Sequence, residues 1–344
     1  MDPWYKKLLT ENIWGVAVKL AMFGGGVGSA VIFPWILGAE GFGYYSVVFA
    51  LANMWVFLAS FSLDTTAVKF VSAGIVKGNV KSYVGFFVKT QLVLALSASA
   101  LLYLLSDLVA LHLLGDATLS YGVRVSALYV FFYSLFVLLG NLFVGLQMNR
   151  KVLYSYTLYH SLRIIFSVLL VFLFHDYVGV ILGTSIAGLL SILLLLYFLG
   201  GVTLSDKKSK LDFSGIKRYT FYGSFGYLGV LLLQWISSLI IGVYDSTLAA
   251  GFYRIGFMWV SAIGLLIPIS SKVLFSFFSE THERHEKEKI ESIFAHSLKY
   301  CLVFSLLAIL GLTLASDIFI KLVYGAEFLP AASALFLLSF IAIE

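Results

Sequence analysis

Four basic residues lie in or beside long apolar stretches of this sequence, where an ionisable side chain is costly and usually serves a function. Lys19, Arg163 and Arg254 lie inside such stretches, and Lys69 lies just past the end of one. Guanidinium and ammonium groups bind phosphate through charge-assisted hydrogen bonds, which low-dielectric surroundings strengthen. We therefore predict that these four residues contact an anionic cargo. A structural role competes for each, because long basic side chains also extend toward an interface or mark membrane topology.

The composition indicates which elements must position these residues. Of the 344 residues, 60% are hydrophobic and 12% are charged, whereas about a quarter of the residues in soluble domains are charged. Apolar spans of about 20 residues recur along the chain, which predicts a polytopic membrane protein. Without water the backbone must be satisfied inside each span, so an all-α fold is expected. The predicted spans are 13–36, 44–63, 88–106, 122–147, 152–174, 177–201, 219–243, 251–275, 295–315 and 331–343.

Basic and acidic residues alternate between successive connectors of these spans. One set of connectors holds most of the 23 lysines and arginines, and we call that side of the bundle the basic end. The other set defines the acidic end and carries Glu40, Asp107, Asp116, Asp176, Asp245, Asp317 and Glu327. The positive-inside rule then predicts a multi-pass protein of the cytoplasmic membrane with a cytoplasmic N-terminus. Since the +5 net charge follows this topology, it does not indicate nucleic acid as a partner.

The chain also repeats itself at a displacement of 210 residues. Ala39, Gly41 and Phe42 recur as Ala249, Gly251 and Phe252. The pair Ser106-Asp107 recurs as Ser316-Asp317, and Gly115 recurs as Gly325. Because six spans return the chain to its starting side, the pattern predicts two parallel bundles of six transmembrane helices.

The repeat also predicts the domain boundaries. The first bundle is expected at 1–203, a cytoplasmic linker at 204–216, and a second, incomplete bundle at 217–344. By the same repeat, roughly 76 further residues complete the second copy. The stretch 37–51 is predicted to be the turn joining the first two spans, with Gly41 and Gly251 serving tight turning or the start of a helix.

Four motifs then resemble those of a known family. They are LGAEGFGYYS from Leu37, LDTTAVKFVS from Leu63, DSTLAAGFYRIGF from Asp245 and LVYGAEFLPAASAL from Leu322. Together they resemble the polysaccharide-transport, O-antigen-type flippases of the multidrug/oligosaccharidyl-lipid/polysaccharide exporter superfamily. Arg254 departs from the usual small residue at its position, so the resemblance assigns it no role.

The resemblance implies a transporter that flips a polyprenyl phosphate or diphosphate sugar for surface polysaccharide biosynthesis. Two bundles rocking about a basic midplane cavity then provide alternating access. The expected partners are the lipid-linked oligosaccharide, membrane lipids and polysaccharide assembly enzymes. Six aromatic residues are candidates for stacking on sugars, with ordinary helix packing as the competing interpretation: Trp55, Tyr133, Tyr154, Tyr156, Trp235 and Trp259.

Other function classes stay open at this point. A cation-coupled multidrug exporter of the same superfamily needs a buried acid, and no Asp or Glu lies at the middle of a span in the first bundle. Asp64 closes the second span and is interpreted as a local cap. An integral-membrane glycosyltransferase or ligase needs long hydrophilic loops, which the sequence lacks. The chain also contains no GxxxxGK[ST] or HExxH motif. We therefore predict no enzyme, cofactor or metal site, and leave coupling to Na⁺ or H⁺ open.

Overall fold

The computed structural model describes residues 3–202, 211–266 and 287–340. The predicted linker and the predicted spans 251–275 and 331–343 therefore lie partly outside the described residues. The described residues are almost entirely helical, which confirms the all-α prediction. Packing divides the chain into two compact units, Met1–Gly251 and Phe252–Glu344, and each is described by itself.

The described residues form twelve α-helices. They are α1 (Pro3–Ser60), α2 (Leu63–Lys77), α3 (Val80–Leu104), α4 (Ser106–Leu108), α5 (Ser120–Gly145), α6 (Asn149–Phe174), α7 (Val178–Gly200), α8 (Phe213–Leu231), α9 (Ser237–Tyr244), α10 (Thr247–Leu266), α11 (Lys287–Tyr324) and α12 (Pro330–Ser339). Six stretches of the described chain are long and apolar enough to cross a membrane, and the first of these, Ile13–Lys77, contains two predicted spans.

A single glycine makes the turn between the first two spans. Within α1, Gly38 has φ 67° and ψ 178°, a conformation that a side chain would strain. The chain folds back there, because the rings of Phe33 and Tyr45 lie 5.8 Å apart although twelve positions separate them. The turn occupies only part of the predicted stretch 37–51, and Gly41 lies in the first helical turn after Gly38, which agrees with the predicted start of a helix. Motif letters alone could not show which glycine takes the positive φ.

A second break divides the next span. Phe61 and Ser62 have φ of 44° and 60°, and the helix resumes as α2. The side-chain amide of Gln91 donates to the carbonyl of Ala59 at 2.9 Å, which satisfies a group that the break would leave unpaired. Lys69 and Lys77 consequently lie on a helix, and the connection to α3 is only Gly78–Asn79. The predicted span end at 63 lies beside this break, whereas the predicted start at 88 falls inside α3, which begins at Val80. Charge marks where an apolar stretch begins and not where the helix begins.

Helix α5 lies at the centre of the first unit and packs against α1, α2, α3 and α7. Helices α6 and α7 approach each other closely because glycine lines their interface. A Cβ on Gly183 would lie 2.4 Å from the backbone nitrogen of Ser167. Small residues of this kind let membrane helices pack by van der Waals contact where no hydrophobic force draws them together.

The repeat predicted from the sequence has a counterpart in backbone conformation. Gly115 has φ 72° and is followed by a short 3₁₀ helix, Ala117–Leu119, before α5 begins. In the second unit Gly325 has φ 94° and is followed by the 3₁₀ helix Ala326–Phe328 before α12 begins. The same order of elements recurs 210 residues apart, as the glycine pair predicted.

Helices α8 and α9, joined by a π-helical turn at Leu232–Ile236, run along α1 and α2 inside the first unit. The contacts, taken from the basic end to the acidic end, are Lys69 with Tyr219, Thr66 with Thr220, Phe57 with Tyr227, Phe49 with Trp235, and Gly43 with Thr247. The linker predicted at 204–216 separates two sequence repeats, whereas the compact units are defined by packing. The linker therefore stays a prediction.

Candidate functional site

Arg163 lies midway along α6 and is held mainly by aromatic rings. Its Nη2 donates a hydrogen bond to the hydroxyl of Tyr45 at 3.2 Å. Its guanidinium carbon lies 5.1 Å from the ring centre of Phe33 and 5.6 Å from that of Phe49. These are cation–π distances, which favour a guanidinium because it is more weakly hydrated than an ammonium. The buried Nε of Arg163 has no hydrogen-bond partner among the described residues.

Aromatic rings extend from this arginine through the first unit. Ring centres lie 5.0 Å apart for Tyr45 and Phe49, for Phe49 and Tyr129, and for Tyr129 and Tyr133. The Tyr129 hydroxyl donates to the Asn53 side-chain oxygen at 3.1 Å. We call the Arg163 cluster the following set: Phe33, Tyr45, Phe49, Asn53, Tyr129, Tyr133, Phe136, Tyr156, Tyr159, Arg163 and Trp235.

Several hydroxyl groups of the cluster are buried. Tyr45, Tyr129 and Tyr159 are 4%, 2% and 3% exposed, so their hydroxyls lie inside the helix bundle. No carboxylate of the described residues lies within ion-pair distance of Arg163. Arg163 is partly buried, and its Nε is fully so. A charge withdrawn from water without a counterion is costly, and an anion that reaches it gains the corresponding attraction. The arrangement is therefore suited to an anion carrying hydroxyl groups, which the phenols can hydrogen-bond.

The other three predicted basic residues lie elsewhere. Lys19 is exposed on α1, and no described contact joins it to the Arg163 cluster. Lys69 is exposed on α2 with its Nζ 3.9 Å from the ring centre of Tyr219. Arg254 belongs to the second unit, where its guanidinium carbon lies 5.7 Å from the ring centre of Phe257. A cargo-binding role for each of the four stays a prediction.

Sequence reasoning missed two polar side chains near the cluster. Asp64, interpreted as a local cap, also accepts a hydrogen bond across the bundle from the Asn141 amide at 3.1 Å. His160 lies one turn before Arg163, with its ring edge against Tyr159 and its buried Nδ1 unpartnered among the described residues. The sequence did contain a signal for His160, because its spacing of three residues from Arg163 predicts that both lie on one face of the helix. The break at Ser62, which points Asp64 inward, leaves no comparable signal.

Comparison with known proteins shows the family of this chain. The family model described as polysaccharide biosynthesis protein matches residues 9–282, which is most of the chain. The chain belongs to the polysaccharide biosynthesis protein family. The resemblance to flippases of the exporter superfamily, inferred from the four motifs, is thereby confirmed.

Individual relatives agree with this assignment at low identity. A Haloferax volcanii protein described as a probable low-salt glycan biosynthesis flippase, Agl15, is 23% identical over 121 residues, which are 35% of this chain and 26% of that protein. An inward-facing multidrug resistance MATE family transporter is 12% identical with a TM-score of 0.73. The match covers 95% of this chain and 78% of the transporter chain. The lipid II flippase MurJ is 17% identical with a TM-score of 0.62, and the match covers 94% of this chain and 72% of the MurJ chain. These two structures show a shared fold.

In this family member, the aromatic residues predicted to stack on sugars fall into different surroundings. Tyr133, Tyr156 and Trp235 belong to the Arg163 cluster, and Trp235 lies 5.7 Å from Phe49. Tyr154 is exposed and accepts a hydrogen bond from Arg150. In the second unit Trp259 donates to the Tyr324 hydroxyl at 2.7 Å. Trp55 lines an apolar cavity.

A separate cavity of about 700 Å³ lies at the acidic end of the first unit. Glu40, Asp176, Tyr44 and Tyr177 line it, and the Tyr44 hydroxyl donates to the Glu40 carboxylate at 3.2 Å. Burial raises the pKa of Tyr177, and the neighbouring Asp176 carboxylate raises it further. Tyr177 therefore stays neutral, and the carboxylates of Glu40 and Asp176 determine the charge of the cavity. The two carboxylates make this cavity unfavourable for an anion such as phosphate.

Proposed function

We propose that this protein flips a lipid-linked oligosaccharide, a polyprenyl phosphate or diphosphate sugar, across the cytoplasmic membrane. The N-terminus lies in the cytoplasm in this proposal, so the basic end receives cargo and the acidic end releases it. The observation that carries it is Arg163, a guanidinium inside the bundle that lacks a carboxylate partner among the described residues. The cargo phosphate supplies the missing anion during passage.

The surroundings of Arg163 support the chemistry of such a cargo. A phosphate or diphosphate binds a guanidinium through paired charge-assisted hydrogen bonds. The sugars attached to it present hydroxyl groups, and the phenols of Tyr129, Tyr133 and Tyr159 line the same region. Aromatic rings that pack ring to ring also exclude water from the bound phosphate, which strengthens its attraction to the arginine.

Alternating access is the proposed movement. At the acidic end, α1 and the chain entering α10 approach so closely that a Cβ on Gly43 would lie 2.5 Å from the carbonyl oxygen of Thr247. At the basic end, α2 and α8 meet through long side chains, with Lys69 over Tyr219. A tight contact at one end and an adaptable one at the other suit a transporter that is closed toward the acidic end and opens there to release cargo.

Transport of a cationic drug is disfavoured by the same residue. Arg163 would repel a cation, and the likeness to MATE transporters shows the fold alone. Coupling to Na⁺ or H⁺ remains part of the proposal without an assigned site. Polysaccharide assembly enzymes are the proposed partners that supply and consume the cargo.

The proposal is tested by reconstituting the purified protein into liposomes that contain a polyprenyl diphosphate oligosaccharide. A membrane-impermeant glycosidase added outside cleaves only cargo in the outer leaflet, so the rate of cleavage reports flipping. We expect the protein to accelerate loss of inner-leaflet cargo relative to protein-free liposomes. Equal acceleration of a fluorescent phospholipid would mean nonspecific scrambling, and no acceleration of either would contradict the proposal.

A further inference from the structure

Two apolar cavities on the first unit adjoin each other where α8 and α9 pack against α1, and α3 and residues 112–114 complete their walls. The lower cavity, at the basic end, has a volume of about 600 Å³ and the upper one about 590 Å³. Both are lined by Phe57 and Leu228, which form a waist between them. We call the two together the seam groove. It runs from Lys217 at the basic end to Tyr244 at the acidic end.

We propose that the seam groove binds the polyprenyl tail of the cargo and guides it while the sugar-phosphate headgroup crosses beside it. This inference rests on the proposed function, because the tail belongs to the same lipid-linked oligosaccharide. The groove is separate from the Arg163 cluster. Helix α1 contributes Phe49 to the cluster and Leu58 to the groove. In this proposal the headgroup and the tail therefore contact different faces of the same helix.

The length of the groove favours a polyprenyl chain over a membrane phospholipid. Helical rise places Ile216 and Tyr244 roughly 42 Å apart, which exceeds the ~30 Å hydrocarbon core. One phospholipid acyl chain reaches across only about half of that core. Adjoining cavities along a path of this length therefore match a chain that is long enough to occupy both leaflets, and whose head must move from one leaflet to the other.

Charge at the two ends fits the direction of transport. Lys217 is the one charged residue lining the lower cavity, among the residues described, so a phosphate entering there has a cationic partner. Lys69 lies over the adjacent ring of Tyr219 and adds a second positive charge. The upper cavity is lined by His112 and Tyr244 in place of any lysine or arginine. The phosphate is thus attracted where loading occurs and is not retained at the other end.

Photo-labelling in lipid nanodiscs tests the proposal. One probe is a polyprenyl phosphate with a diazirine at the end of its tail, and the other is phosphatidylglycerol with a diazirine in one acyl chain. We expect the polyprenyl probe to label the upper cavity, including the segment 236–244. Excess unlabelled polyprenyl phosphate should suppress that labelling, whereas excess phosphatidylglycerol should not. Equal labelling of the upper cavity by both probes would overturn the proposal.

Substitutions at the waist and the lower end sharpen the test. Leu228→Trp fills the waist and should reduce labelling of the upper cavity about tenfold, since the tail loses its buried path. Its control is Leu193→Trp on α7, where the residue is 53% exposed and outside the groove. Ile240→Trp narrows the upper cavity at a site that is 50% exposed, and serves if Leu228→Trp does not fold. Lys217→Gln should weaken polyprenyl phosphate binding more than Arg218→Gln, which alters a neighbour that does not line the groove.

The flipping assay in the same preparation separates the two proposals. If the wild-type protein flips cargo but labelling is unaffected by both tryptophan variants, the groove inference fails and the proposed function stands. If the wild-type protein does not flip cargo, the proposed function fails, and labelling still decides whether the groove binds a polyprenyl chain.

Discussion

Two arginines of the first unit are held in opposite ways. Arg124, at the acidic end of α5, donates from Nη2 to both carboxylate oxygens of Asp107 at 2.8 and 2.9 Å, and its Nε donates to Ser106. Its side chain is 39% exposed. Arg163, midway along α6, is surrounded by rings and donates to one phenol.

We interpret this difference as one between a structural arginine and an arginine proposed to bind cargo. Arg124 has its counterion, Asp107, within the protein, and a solvent-exposed ion pair of this kind contributes little to the free energy of unfolding. A guanidinium inside an apolar bundle without its own anion is retained at a cost to stability. The cost is explained if another molecule brings the anion. Arg163 is therefore the residue at which cargo chemistry and fold stability are expected to conflict.

The largest effect is expected from Arg163→Gln. Loss of two charge-assisted hydrogen bonds, each about 1.5–3 kcal/mol, should lower the initial flipping rate about hundredfold or more. Thermal stability should stay equal or rise, because a buried charge is removed. Arg163→Lys should retain part of the activity, since it keeps the charge but not the paired donors. The flipping assay and a thermal melt measure both quantities.

The matched control is Arg124→Gln, which should leave flipping within about twofold of wild type. Wild-type flipping by Arg163→Gln would show that the buried arginine is structural, and the contrast between the two residues would be lost.

Adjacent tyrosines offer a smaller and more specific test. Tyr45→Phe removes the acceptor of the Arg163 hydrogen bond and should cost about 1–3 kcal/mol in the free energy of unfolding. Tyr44→Phe removes a hydroxyl that contacts the exposed Glu40 and should cost below about 0.5 kcal/mol. Thermal melts followed by tryptophan fluorescence measure the difference. Adding polyprenyl diphosphate should stabilise Tyr45→Phe more than Tyr44→Phe, because the anion accepts the freed donor. The reverse order would contradict the assignment.

Sequence alone predicted the helical class, the recurring glycine turn and the position of Arg163 inside a helix, since each depends on composition or residue type. The cargo-binding role of Arg163 stays a prediction. An arginine at the centre of an apolar span is visible without coordinates, and so is a glycine that recurs 210 residues later. The surroundings of Arg163 were not predictable, because Tyr45, Tyr129 and Tyr159 come from three helices whose rotation depends on packing. The backbone breaks at Gly38 and Ser62 were not predictable either. Several neighbouring residues could adopt a positive φ, and the sequence does not show which one does.

The smallest effect is expected at the exposed pair. Asp107→Asn should cost about 0.2–1 kcal/mol in the free energy of unfolding and leave flipping unchanged, because the pair lies where water and salt screen it. Thermal melts of Asp107→Asn and wild type at low and high ionic strength should therefore converge as salt rises. A cost as large as that of Tyr45→Phe that persists at high salt would mean that Arg124 is as dependent on its anion as Arg163 is. The carboxylate-paired arginine would then no longer serve as the structural reference, and the case for cargo binding at Arg163 would depend on the flipping rates alone.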